Sequence, residues 1–265
     1  MIAKALIKGH LLPMRRRLIS FIASGALAAA ATTAGAQSLG DRFKQFVGGL
    51  DGGDTNASAQ QLPESEVVSG LRSALADGAS AAVTQLGQTD GFWGNAARRI
   101  PLPGWMGQAS SALRGAGFGD QLDSFQLSMN RAAEQATAEA GPIVRETINN
   151  MSVRDAYDIL QGSDTAATEY LRKQAGDDLA AKFEPIIANT TAQSQAVSRY
   201  EALTSRAKPM LAFVPGMNLD VNDYVTQQAL DGLFAVIGQQ EQKIRANPAA
   251  AGSAIAKKVF STVSR

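Results

Sequence analysis

Cysteine is absent from the 265 residues, and histidine occurs once, as His10. With no thiol there is no disulfide and no cysteine nucleophile, so stability has to come from burial alone. His10 lies inside a segment that reads as an export signal, so the mature chain is expected to contain no imidazole either. That removes the commonest general base and the commonest transition-metal ligand. Also missing are the glycine signatures of nicotinamide, flavin and nucleoside triphosphate sites, and the ligand spacing of the helix-loop-helix calcium motif. No cofactor is expected and no metal ligands are assigned.

Long apolar runs are lacking as well. The longest, 18–31, falls short of the roughly 20 residues that cross a bilayer as a helix, so the mature chain is expected to have no transmembrane segment. Arg15, Arg16 and Arg17 precede this run as a basic n-region, and Ala34, Gly35 and Ala36 are the small residues a signal peptidase accepts. The sequence therefore predicts a signal peptide over 1–36, cleavage between Ala36 and Gln37, and a periplasmic or secreted product. Met14, directly before the arginines, offers an alternative start. No cysteine follows the apolar run, which excludes lipid attachment by the bacterial lipoprotein route.

Removing 1–36 takes away Lys4, Lys8, Arg15, Arg16 and Arg17 and no acid. The 25 basic and 24 acidic residues of the whole chain become 20 and 24, a net charge of −4. A nucleic-acid partner is not expected, because such binding needs a concentrated basic face. The remaining basic pairs, Arg98 with Arg99, Arg172 with Lys173 and Lys257 with Lys258, are dispersed.

Strict alternation of β-branched residues is missing too, whereas apolar residues recur every three or four positions, so the class is all-α. Residues 37–62 are expected to form a short amphipathic helix, through Leu39, Phe43, Phe46, Val47 and Leu50, followed by a flexible polar linker over 51–60. A single compact multi-helix bundle is expected over 63–265, since no linker divides it. Pro63, Glu64 and Glu66 open its first helix, with Val67, Val68, Leu71, Leu75, Ala79, Val83 and Leu86 as the buried stripe. Gly87 to Gly94 breaks that helix, and Pro101 and Pro103 make a rigid turn. A short helix carries Trp105, Met106, Ala109 and Leu113. A longer one runs from about Asp120 to Ala140, with alanines that allow close axis approach.

Ser152 and Asp155 resemble a capping box, with Gly162 closing that helix. Ser163 or Asp164 is expected to cap the next helix. Separate helices follow through Leu171, through Leu179 to Ile187 with a kink at Pro185, and through Val197 to Leu203. Asp220 opens the clearest helix, which ends at Asn247-Pro248, and a last one is expected to bury Ile255, Val259, Phe260 and Val263.

Several segments together resemble one known bacterial family. They are GLRSAL at 70–75, DGFWGN at 90–95, IPLP at 100–103, MNRAAE at 129–134, ATEY at 167–170, YVT at 224–226 and ALDGLF at 229–234, followed by Glu241, Ile244-Arg245, Asn247-Pro248 and Val259-Phe260. In this order they are similar to the family known as domain of unknown function 4197, over about 65–262. The resemblance implies an exported, mostly helical protein of Gram-negative bacteria with no assigned activity. Some members look like lipoproteins, and this chain departs from them in having no lipid-accepting cysteine.

Polar residues in these segments are the candidate site. Asn130 and Glu134 stand i, i+4 on one helix face beside Arg131, where they can orient a ligand or tie helices together, the structural role being favoured. Thr168, Glu169 and Tyr170 form a second group, in which Glu169 also has Lys173 as an ordinary i, i+4 partner. Tyr224, Asp231, Glu241 and Arg245 form a third. Glu241 with Arg245 reads as a surface helix pair worth only about 0.3–0.5 kcal/mol, and Asp231, flanked by Leu230 and Leu233, as a cap for another helix. Phe92, Trp93 and Trp105 surround the proline-rich turn and offer groove aromatics.

These features favour a non-catalytic envelope protein that binds a protein, glycan or amphiphile in a groove between helices. One alternative is a hydrolase of cell-wall glycan working with carboxylates alone, for which Glu134, Glu169, Asp231 and Glu241 are the candidates. A second is a structural, self-associating envelope protein whose 39–50 helix docks on a neighbour.

Overall fold

The computed structural model describes residues 63–207, 220–248 and 252–263, and the helix expected at 39–50, the linker and the signal segment lie outside them. Among the described residues there are nine helices and no strand, so the chain is all-α. These are α1 (Glu64–Gly87), α2 (Gly104–Gly115), α3 (Gly119–Ala138), α4 (Gly141–Asn149) and α5 (Val153–Gln161). After them come α6 (Ala166–Gln193), α7 (Ala196–Ala207), α8 (Val221–Ala246) and α9 (Ala254–Val263).

The four longest helices build the centre. α8 packs on α1, α3 and α6, and α3 packs on α1 and α6. Leu71 and Leu86 of α1, Leu122, Phe125 and Met129 of α3, Leu171, Leu179 and Phe183 of α6, and Val225 and Leu233 of α8 are fully buried there. Ala132, Ala133 and Ala136 add no bulk to α3, and its far end meets α1 so closely that a Cβ on Gly87 would stand 2.7 Å from the Ala138 Cα. Around this centre, α9 lies on α1, α4 and α5 each touch both α1 and α6, α7 rests on α3 and α6, and α2 rests on α3.

Local chemistry accounts for most helix ends. Ser152 and Asp155 form a reciprocal capping box at α5, with Asp155 N–H donating to Ser152 Oγ at 3.1 Å and Ser152 N–H to Asp155 Oδ2 at 2.9 Å. Asp220 accepts from the amides of Asn222 and Asp223 at the head of α8.

Four expectations need correction. The helices expected through Leu171 and through Leu179 to Ile187 are one, α6, 28 residues long with Pro185 inside it. Proline removes a hydrogen bond to the carbonyl four residues back. Here Pro185 and Ala181 are both exposed, so that carbonyl has water available, while buried Phe183 and Ile187 pin the helix on either side. The short α4 was not foreseen. Only Val144 and Ile148 are buried on it, although Pro142 near its start is the expected opening residue. Neither Ser163 nor Asp164 caps α6, whose preceding residue is Thr165 with no side-chain cap of its own. Ile255 is 43% exposed, because α9 turns Ala256, Val259 and Phe260 inward instead.

Candidate functional site

The candidate residues fall into two fasteners, each built around a carboxylate that the fold has buried. In the first, α3 holds the loop between α1 and α2. Glu134, 3% exposed, accepts the amides of Phe92 and Trp93 on Oε1 at 3.1 and 3.0 Å, and Arg131 Nη1 on Oε2 at 2.6 Å. Arg131 also donates to Asp90 at 2.7 Å, and Asp90 sits at φ +66°, a conformation that Asp tolerates better than most residues. The hydrogen bond that Arg131 donates to Glu134, the largest influence, raises the guanidinium pKa above its usual value.

One turn earlier on α3, fully buried Asn130 treats Ile100 as a strand neighbour would. Its Oδ1 accepts the Ile100 amide at 2.8 Å, and its Nδ2 donates to the Ile100 carbonyl at 3.1 Å. Tyr224 of α8 donates its hydroxyl to the Pro101 carbonyl at 3.1 Å, and burial pushes its phenol above the usual range. Where this loop dips into the core, at Phe92 and Ile100, its backbone groups need such partners because no ladder satisfies them.

In the second fastener α8 caps α6 from outside. Glu241, 4% exposed, accepts the Ala167 amide at 3.0 Å, the Thr168 amide at 2.9 Å and the Thr168 hydroxyl at 2.8 Å. A carboxylate at the first free amides of a helix meets both orphan donors and the positive end of its dipole. Arg245 closes the network with two donors to Glu241 Oε1 and one to the Ile159 carbonyl, thereby joining α5 as well.

This geometry revises three readings. Glu241 and Arg245 are a buried pair, with side chains 2% and 12% exposed, rather than a surface one. Asp231 caps no helix, and instead pairs with Arg172 at 2.8 Å on the surface, while Arg172 also lies 4.7 Å above the Phe234 ring. Glu169 accepts from the Thr165 and Ser163 hydroxyls at 2.9 and 3.3 Å rather than pairing with Lys173. Tyr170 is half-buried, its phenol pushed up first by burial and then by the charge of Asp155.

Of the three aromatics, Phe92 is fully buried and Trp105 is 4% exposed, so both belong to the core. Trp93 is half-buried, with the Arg99 guanidinium 4.3 Å over its ring and Arg99 Nε donating to its carbonyl. Phe92 reaches the core through Gly232 of α8, where a Cβ would stand 2.5 Å from its Cε1. The ring of Phe92 therefore rests directly on the backbone of α8, with no side chain at 232 in the way.

Open space lies elsewhere, along α1. One recess, of about 540 Å³, is lined by Ser65, Val68, Ser69, Arg72, Ser73 and Ala76 of α1 with Asn149 and Val153 opposite. A second, of about 150 Å³, shares Ala76 with it and is lined further by Ala79, Val83, Val144, Arg145 and Ile148. Neither is lined by a carboxylate. Sequence reasoning missed this trough, although Ser65, Ser69 and Ser73 at four-residue spacing mark one hydroxyl face of α1.

A family model described as a protein of unknown function (DUF4197) matches residues 61–261. The chain belongs to this family. No curated protein and no solved structure matches it. In this DUF4197 chain the segments 90–95, 100–103 and 129–134 together make the first fastener, and 167–170 with Glu241 and Arg245 makes the second. No two of Glu134, Glu169, Asp231 and Glu241 accept from a common donor in these networks, and none lines the trough.

Proposed function

We propose that the chain is an exported binding module of the Gram-negative cell envelope, released after Ala36, and that it receives its ligand in the trough along α1. The single observation that carries this reading is the recess of about 540 Å³, which falls within the size range of small-molecule sites and is lined by donors that no carboxylate among the described residues occupies. The buried carboxylates are committed to backbone amides and arginines inside the fold, so they offer no free acid and base for a glycan-cleaving mechanism. Export follows from the 1–36 segment. Among the described residues no helix is long and apolar enough to cross a membrane.

The test is native mass spectrometry of the protein recovered from the envelope fraction of its own host. Wild type should carry a non-covalent ligand that the Ala76→Glu variant lacks, because Ala76 lines both recesses. Equal ligand content in wild type and variant, or none in either, contradicts the proposal.

A further inference from the structure

We infer that the recess beside Arg72 takes an acidic carbohydrate, holding its oxyanion against the guanidinium and its hydroxyls along α1. This rests on the proposed binding role of the trough and names the chemical class of its ligand.

The donor set points to that class. Arg72 Nη2 donates to the Met151 carbonyl, which fixes the guanidinium, and its buried Nε has no partner among the described residues. Among the described residues no carboxylate pairs with Arg72, in contrast to Arg131, Arg172 and Arg245, each of which has one. An arginine held in place with unused donors suits a carboxylate or phosphate, whose geometry matches the guanidinium fork.

The rest of the recess sets hydroxyl and amide groups beside apolar surface, the mixture that a sugar presents. Ser65, Ser69 and Ser73 stand on successive turns, a row about 12 Å long, and each hydroxyl both donates and accepts. Asn149 adds an amide that does the same from the facing wall. Val153, 37% exposed, offers an apolar contact of the size a sugar ring presents. Arg72 would draw the anion locally, against the charge of Asp155, which acts with that of Arg72 on the Tyr170 phenol, and against a net −4 on the mature chain.

The test is an amide chemical-shift titration of the full chain, expressed with its leader and recovered after export, using four probes. Glucuronate and glucose 6-phosphate are expected to shift the amides around Ser69, Arg72, Ser73 and Asn149, and to bind at least tenfold more tightly than glucose. Arg72→Gln should lose at least tenfold, with Arg72→Lys recovering part of it. The double change Ser69→Ala and Ser73→Ala, on the open side of α1, should weaken glucose 6-phosphate while leaving inorganic phosphate unchanged. Equal affinity for glucose and glucuronate overturns the proposal, as does an unaltered affinity in Arg72→Gln. Inorganic phosphate binding as tightly as glucose 6-phosphate also overturns it, because the site would then be a bare anion site. If none of the probes binds while Ala76→Glu still strips the native ligand, the ligand class fails and the trough reading survives.

Discussion

The ring of Phe92 fills the space where a side chain on Gly232 would stand, with Cε1 only 2.5 Å from the position of a Cβ. The loop after α1 is thus set directly on the backbone of α8, and the Glu134 carboxylate holds the same residue by its amide. Gly232→Ala should therefore destabilise the protein by about 1–3 kcal/mol through overpacking. Adding Phe92→Leu should restore part of that loss, so the two changes will not be additive. Urea unfolding midpoints of the two single variants and the double variant check this.

The two buried carboxylates and the exposed one should behave differently. Glu241→Ala leaves the Ala167 and Thr168 amides without an acceptor and takes the carboxylate away from a nearly buried Arg245, and should cost about 3 kcal/mol or more. Glu134→Ala should cost less, about 2–3 kcal/mol, because Arg131 is a third exposed and keeps Asp90. Asp231→Asn breaks a pair whose side chains are 50% and 59% exposed, and should cost under about 0.5 kcal/mol. The order of chemical denaturation midpoints is the measurement.

The capping box of α5 gives a pH signature. The Ser152 hydroxyl and then its backbone N–H hold the Asp155 carboxyl below the usual carboxylate range. A carboxyl depressed in the folded state contributes stability above its unfolded pKa of about 3.9 and loses it as pH falls through the lower folded value. The stability difference between wild type and Asp155→Ala should therefore be constant from about pH 5 to 7 and shrink below about pH 4. Thermal melts across that range read it directly, and Ser152→Ala should cost about 1 kcal/mol at neutral pH.

Export makes a prediction of its own. The intact mass of the protein in the periplasmic fraction should match residues 37–265. A mass that includes the 1–36 segment would contradict cleavage there.

The helix pattern was legible because period and punctuation agree along most of the chain. The stripe from Val67 to Leu86, apart from half-buried Val83, the Ser152 box and the Asp220 cap stand where local chemistry put them. What local chemistry could not supply was partnership across the fold. Pro185 argued for a break that packing of Phe183 and Ile187 overrides. The cap of α6 comes from Glu241, 74 residues from Ala167, and no local signal announces it. Asp231 and Glu241 lie on the same helix, and their exchanged roles depend on how α8 is rotated against α6. The trough along α1 was equally hidden, since its far wall is made by Asn149 and Val153 from another part of the chain.

The central claim is that the buried carboxylates hold the fold while ligand recognition belongs to α1. Its most direct test is a crystal structure of the protein with its native ligand bound. The molecule should lie between Ser69 and Val153, in contact with Arg72, with the Glu134 bonds to Phe92 and Trp93 and the Glu241 bonds to Ala167 and Thr168 intact. A ligand seated on Glu134 or Glu241, with those amides displaced, would contradict it.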